Sequence, residues 1–176
     1  QDLATRGKLF VLGVAYSDND GNDFYSVGEG RADLTVQVAA RSTLSTTSGG
    51  YTVEAASGAA TITLSGGGLA SAVTVLTTIA GENIKLDVVD GSILIASRSV
   101  SVSGPITELR GFGARGLSLT TGSGSQAVVG TRGDDTLDGG TGNDNLVGGL
   151  GNDSYKVDSA ADLVIGLGAD VTTVDP

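Results

Sequence analysis

"GGTGNDNLVGGLGNDSYKVD", Gly139 to Asp158, is the stretch on which the reading of this chain turns. A Gly-Gly pair, one residue, a third glycine and Asn-Asp return after nine residues: Gly139-Gly140-Thr141-Gly142-Asn143-Asp144, then Gly148-Gly149-Leu150-Gly151-Asn152-Asp153. With the Gly-Gly at positions 1 and 2, three nonapeptides align: Gly130 to Asp138, Gly139 to Val147 and Gly148 to Lys156. Position 6 is Asp135, Asp144 or Asp153, and position 8 is Leu137, Leu146 or Tyr155. Weaker copies flank them. Thr121 to Val129 keeps Gly122, Gly124 and an apolar Val128 but has Gln126 in the Asp slot. Val157 to Ile165 has lost its glycines yet keeps Asp162 and Val164. Such fading at both ends is expected of the terminal repeats of a solenoid.

A nine-residue unit divides into a six-residue turn and a three-residue strand whose middle side chain points inward. Two units complete a coil, so turns eighteen residues apart stack on one side. Glycine lets the turn visit positive φ and bring several carbonyls inward together. Carbonyl oxygens with an Asp carboxylate make the hard, oxygen-only shell that Ca²⁺ takes, six to eight ligands at about 2.3–2.6 Å. The cation would remove the carboxylate repulsion and fix the glycines. A solvated linker has no reason to hold an apolar residue at position 8.

The pattern resembles the RTX family, whose Gly-Gly-x-Gly-x-Asp-x-apolar-x repeats build a calcium-filled parallel β-roll. The resemblance covers about residues 121–165 and implies two calcium sites between stacked turns. One would use Gly130, Arg132 and Asp135 with Gly149, Gly151 and Asp153. The other would use Gly139, Thr141 and Asp144, completed by Asp162 and Asp158. With Gln126 in the Asp slot, the pair formed by that turn and Asp144 is expected to bind weakly or not at all. "NDSYKVDSAADLV" is similar to the segment that closes such arrays.

A second acidic stretch, "DNDGNDFYSVGE", sets Asp18, Asp20, Asn22, Phe24, Ser26 and Glu29 at positions 1, 3, 5, 7, 9 and 12 of an EF-hand-like loop. Phe24 would donate a carbonyl. Position 6, normally glycine, is Asp23, which reaches the left-handed conformation less readily. The flanks read as strands. The alternative is an Asx-turn hairpin without metal. With "GEGRADLTV" and "GGYTVEAASGAATITLSGGG", residues 8–90 resemble the SdrD-B/Cna-B-like sandwich repeats of bacterial surface proteins, some of which carry such a calcium loop. The run from "QDL" through "GVAYSDNDGNDFYSVGEG" to the repeats also resembles the region behind the head of secreted bacterial CAP-superfamily proteins. Residues 1–7 would then be a leader from a preceding domain.

The expected fold is therefore all-β: an Ig/prealbumin-like β-sandwich over 8–90, connecting strands over 91–120, and a short parallel β-roll with its cap over 121–176. Asp90-Gly91, between two apolar runs, predicts a type I′ hairpin. Pro105 should end the strand before it.

Composition bounds the chemistry. With 29 glycines and seven aromatics among 176 residues, the chain suits short strands and turns. The absence of Cys and His removes disulfides, thiolate sites and His-based catalysis. No apolar run is long enough for a membrane span. Net charge is −10, and residues 130–176 hold nine Asp against only Arg132 and Lys156. That is the wrong sign for a nucleic-acid surface and the right one for divalent cations. Asp134 and Asp135 could do acid–base work, but their place in the repeat makes them ligands. Tyr16, Tyr25, Tyr51 and Tyr155 read as packing residues rather than a carbohydrate-binding set.

The functional expectation is a non-catalytic, calcium-binding module of a secreted Gram-negative bacterial protein, folding outside the cell. The alternative is a self-assembling fibre or adhesin subunit, a homo-oligomer stabilised by Ca²⁺. A cell-surface or glycan target is compatible with either.

Overall fold

The computed structural model describes residues 7–174, so the leader proposed for residues 1–7 lies outside it except for Gly7. Seventeen strands and no helix make up the described chain. The first seven form the front half: β1 Leu9–Tyr16, β2 Leu34–Val38, β3 Arg41–Leu44, β4 Gly50–Ala55, β5 Gly58–Gly66, β6 Val73–Ile79 and β7 Ile84–Val89. The rest come in pairs, one pair per coil. These are β8 Ile93–Ala96 and β9 Val100–Ser103, β10 Glu108–Gly111 and β11 Ser118–Thr120, and β12 Ala127–Val129 and β13 Thr136–Asp138. Two more coils follow: β14 Asn145–Gly149 with β15 Ser154–Val157, and β16 Leu163–Gly166 with β17 Val171–Val174.

Both halves share two sheets. One runs β16-β14-β12-β10-β8-β7-β1-β4, the other β17-β15-β13-β11-β9-β6-β5-β2-β3. From β8 and β9 outward every neighbour is parallel. The change of sense falls on two antiparallel seams, β7 with β8 and β6 with β9. The strands of 91–120 are thus paired in parallel with the repeat strands, as the first two coils of the same stack.

The β7–β8 seam is made by the expected hairpin. Asp90 (φ 53) and Gly91 (φ 67) both take positive φ, as a type I′ turn requires, and Ser92 N–H donates to the Val89 carbonyl at 3.1 Å. At the other edge Ala39 (φ 52) turns β2 back into β3, a strand the alternating pattern did not announce.

The core is one continuous column between the sheets. Leu94, Leu109, Val128, Leu146 and Val164 stand opposite one another across neighbouring strands, so successive coils take 15, 19, 18 and 18 residues. Facing them are Val100, Leu119, Leu137 and Tyr155. All but Val164 are buried, and they join the sandwich core of Val11, Leu34, Ile62, Val75 and Leu86 without a break. Tyr16, Tyr51 and Tyr155 are buried too; Tyr25 packs edge-on against Tyr16 at 5.9 Å. The outward faces differ in chemistry. Val129, Val147 and Ile165 line up on one sheet, and Ser118, Thr136 and Ser154 on the other.

In the sandwich, Tyr51 donates its hydroxyl to the Leu86 carbonyl across the space above Gly13. A Cβ on Gly13 would overlap that carbonyl oxygen and crowd the Tyr51 hydroxyl. Gly13→Ala is therefore expected to lower stability by about 1–3 kcal/mol, read as a shift of the urea midpoint in chelator with the slope unchanged.

Candidate functional site

The turns between roll strands stack eighteen residues apart, and position 6 ties them together. Leu117 N–H donates to Asp135 Oδ1 (2.6 Å), Gln126 N–H to Asp144 Oδ1 (2.8 Å), and Asp135 N–H to Asp153 Oδ1 (2.9 Å). Asp144 N–H donates to Asp162 Oδ1 and Asp153 N–H to Asp170 Oδ1, both at 2.9 Å. A hydrogen bond to an ionised acceptor contributes about 1.5–3 kcal/mol. Position 5 works in the opposite direction: Asn152 N–H donates to Asp134 Oδ1 and Ala169 N–H to Asn152 Oδ1. The Asn-Asp dipeptide is thus a pair of interlocking ladders.

The second carboxylate oxygen decides the chemistry. Asp144 is 3% exposed and Asp153 1%, and the Oδ2 of each is buried without a hydrogen-bond partner. Each faces the start of its own turn, where a Cβ on Gly139 or Gly148 would overlap it. Glycine there is a spatial necessity. Stacked turns also pack backbone against backbone: a Cβ on Gly149 would overlap the Thr131 carbonyl, and one on Gly142 the Gly124 carbonyl. Gly142, Gly149 and Gly151 take φ of 144, 95 and 120 to hold that stack. An oxygen-only, carboxylate-bearing turn with unpartnered buried oxygens fits a hard divalent cation.

Burial raises the pKa of both carboxyls. The ladder N–H from Gln126 opposes this at Asp144, while Asp162, Asp158 and Asp138 add to it. At Asp153 the N–H from Asp135 opposes it, and Asp135, Asp170 and Asp134 add to it. Asp144, Asp158 and Asp162 bring ligand oxygens within 4.8 Å of one another. Asp158 is exposed and donates its N–H to Asp162 Oδ2 at 3.2 Å.

The remaining residues expected at these sites fall as follows. Asp135 Oδ2 faces Gly130 but is already taken by the Thr131 N–H at 2.5 Å. Gly130 N–H donates to the Val147 carbonyl, and Arg132 is exposed in the same turn. Thr141 exchanges backbone bonds with Gly122 and Gly124 of the turn before it, and the Gly139 carbonyl accepts the Thr121 hydroxyl at 2.8 Å. Gln126 uses its amide Nε2 to bond the Ser123 carbonyl at 2.8 Å.

Two participants escaped the sequence reading. Asp170 closes the last ladder rung from "GLGAD", a turn one residue shorter than the repeat, so it falls outside the position-6 frame. Tyr155, read as core, carries its hydroxyl to the turns, donating to the Ile165 carbonyl at 3.2 Å beside Asp170 Oδ2. Burial, with Asp170 and Asp153 nearby, pushes its pKa up to about 12.

The front loop also gathers its acids. Asp18, Asp20 and Glu29 have ligand oxygens within 4.8 Å. Asp23, at the glycine position, takes φ 63 and donates its N–H to Asp18 Oδ2 at 2.9 Å. Asn22 N–H reaches Asp18 Oδ1 and Asp20 Oδ1, and Ser26 Oγ donates to Asp20 Oδ2. Glu29 is buried, with Oε1 accepting Asn19 and Asp20 N–H and Oε2 accepting Ser26 N–H. Phe24 donates its N–H to Asn22 Oδ1, and the residue is 73% exposed. The loop is docked on the roll by the Arg110–Asp23 ion pair (3.1 Å), Arg110 itself being paired with Glu108.

Fold and turns together define a parallel β-roll with acid-lined, glycine-built turns. Residues 120–155 match the family model of the RTX calcium-binding nonapeptide repeat, in four copies. Those residues are RTX repeats, and RTX repeats bind Ca²⁺. The repeat is a structural calcium-binding unit rather than a catalytic one. No curated protein and no solved structure matches the chain. No helix among the described residues is long and apolar enough to cross a membrane.

Without metal, Asp144 and Asp153 hold protons more tightly folded than unfolded. The folded turns then bind more protons, so their stability falls as pH rises through that raised range. In chelator the β signal is expected to increase as pH is lowered from neutrality toward the ordinary carboxylate range. With Ca²⁺ present the sign reverses, because the ion takes only ionised carboxylates. Far-UV circular dichroism under both conditions checks this, and a chelated signal that declines on acidification contradicts it.

Proposed function

We propose that this chain is a non-catalytic calcium-binding module of a secreted bacterial modular protein, folding when it meets Ca²⁺ outside the cell. The observation that carries the reading is the pair of buried, unpartnered carboxylate oxygens on Asp144 and Asp153. Leaving such groups unmatched is costly, and a cation that neutralises them turns binding free energy into folding free energy. Where calcium is scarce the acid-rich tail stays open, a state suited to export from a Gram-negative cell. Where calcium is millimolar the tail closes.

The proposed ligand sets follow the turn pairs. Gly130, Arg132 and Asp135 face Gly149, Gly151 and Asp153; Gly139, Thr141 and Asp144 face Asp158 and Asp162. Asp170 extends the series opposite Asp153. The front loop, with Asp18, Asp20, Asn22, Phe24, Ser26 and Glu29, is proposed as a separate site that would stiffen the contact between sandwich and roll through Asp23 and Arg110. A second reading, a calcium-stabilised fibre or adhesin subunit, draws on the outward aliphatic row of Val129, Val147 and the exposed Ile165, which could pack on another copy.

A titration from chelator to about 10 mM Ca²⁺, followed by circular dichroism and sedimentation velocity, is expected to show a cooperative gain of β signal in the monomer. Asp144→Asn keeps an oxygen for Gln126 N–H and removes the charge. It should raise the chelated β signal while weakening the calcium response on the order of tenfold. Large species arising with the transition would favour the fibre reading. A spectrum and size indifferent to calcium would dismiss both.

A further inference from the structure

The turns are not equally in need of a cation. Where turn 130–135 stacks on turn 112–117, the protein supplies its own donors. Thr131 Oγ1 lies 2.7 Å from the Arg115 carbonyl, Leu117 stands in the Asp slot of the earlier turn, and both Asp135 oxygens accept N–H groups. Where turn 139–144 stacks on 121–126, Thr121 Oγ1 bonds the Gly139 carbonyl and Gln126 Nε2 the Ser123 carbonyl. The atom left unmatched in the earlier turn is the neutral Gln126 Oε1. Unmatched negative charge begins with Asp144 Oδ2 and continues at Asp153 Oδ2. These lie among Asp158, Asp162 and Asp170, the other acids of the last two turn pairs.

The same boundary separates what is anchored from what is not. β8 and β9 are tied to the sandwich through the antiparallel seams with β7 and β6. β10 to β13 are then held by hydroxyl and amide donors, and by the buried column Leu109, Leu119, Val128 and Leu137. β14 and β15 continue that column through the buried Leu146 and Tyr155, but β14 to β17 depend on turns whose acids repel one another. Their last members, Leu163, Ile165 and Val171, are exposed.

We infer that the roll is built in two parts: a calcium-independent stub, residues 93–138, templated by the sandwich, and a calcium-requiring tail, residues 139–174. Calcium then orders the chain outward from the stub, coil by coil, rather than folding the whole roll at once. This rests on the calcium reading of the turns proposed above. Thr121, Gln126 and Thr131 occupy places in the first two turn pairs that a cation holds in the later ones, and they set where calcium dependence begins.

Hydrogen exchange of the full chain, in chelator and in saturating Ca²⁺, separates the possibilities. The expected result is protection of β8 to β13 amides in both conditions. Amides of β14 to β17 should slow on the order of tenfold or more only when calcium is added. If the entire roll from Ile93 onward exchanges in chelator and is protected together by calcium, the calcium reading stands and the two-part build is overturned. If calcium changes no amide, the calcium reading itself has failed and the inference falls with it. Gln126→Asp supplies the converse test. Placing a carboxylate in the stub should make protection of residues 121–129 calcium-dependent, with β1 to β7 amides in the same sample reporting that the sandwich is intact. An unchanged exchange pattern in that variant would overturn the inference.

Discussion

Each roll turn is held to the next by a backbone N–H at position 6 donating to a carboxylate eighteen residues further on, or seventeen at the last rung. The bond fixes both the vertical register of the turns and the direction in which the carboxylate points. With Oδ1 spent on the rung, Oδ2 is forced into the turn. Glycine at the start of the turn leaves room for it. The acids that hold the stack together therefore also load it with negative charge. Stability and metal demand meet in one side chain: the rung needs only an acceptor oxygen, whereas the metal demand comes from the charge and the second, unpartnered oxygen. The side chain at position 5 adds a second ladder running the opposite way, with the Asp134 carboxylate as acceptor at one rung and the neutral Asn152 amide at the next.

The sandwich solves a different problem for the same sheets. A β-roll end exposes open strand edges, and here the inner end is closed by β6 and β7, whose antiparallel seams continue each sheet without interruption. The buried column passes from Leu86 and Val75 into Leu94 and Val100 and on to Leu146 and Tyr155. No change of layer is needed at the junction. The front loop fits the same plan: Asp23 leaves the loop to pair with Arg110 on the second coil, and Asp18 N–H bonds Asp90 at the hairpin.

Much of this was legible in the sequence because it depends on local spacing. The nine-residue frame, the inward residue at position 8, the acid at position 6 and the Asp90-Gly91 hairpin are all short-range signals. The parallel pairing of β8 to β11 was not legible, since Leu109 and Leu119 sit in ordinary alternation and alternation does not distinguish parallel from antiparallel neighbours. Asp170 was hidden by a turn one residue short. The donor roles of Thr121, Thr131 and Gln126 were hidden for another reason: a departure from a motif looks like decay until the structure shows the hydroxyl or amide bonding a turn carbonyl. β3 depends on Ala39 at φ 52, a conformation its residue type does not advertise.

The two outward faces give the repeat a parity. A unit of nine residues carries the chain from one sheet to the other, and only a unit of eighteen returns it. Losing or gaining a single nonapeptide would leave every local motif intact, yet it would send each later strand to the opposite sheet. The aliphatic row of Val147 and Ile165 would then join the hydroxyl side of Thr136 and Ser154. A chain of this kind can change length freely only in even steps. Whatever uses the chemistry of one face constrains the count of repeats behind it, even where no residue of those repeats is touched.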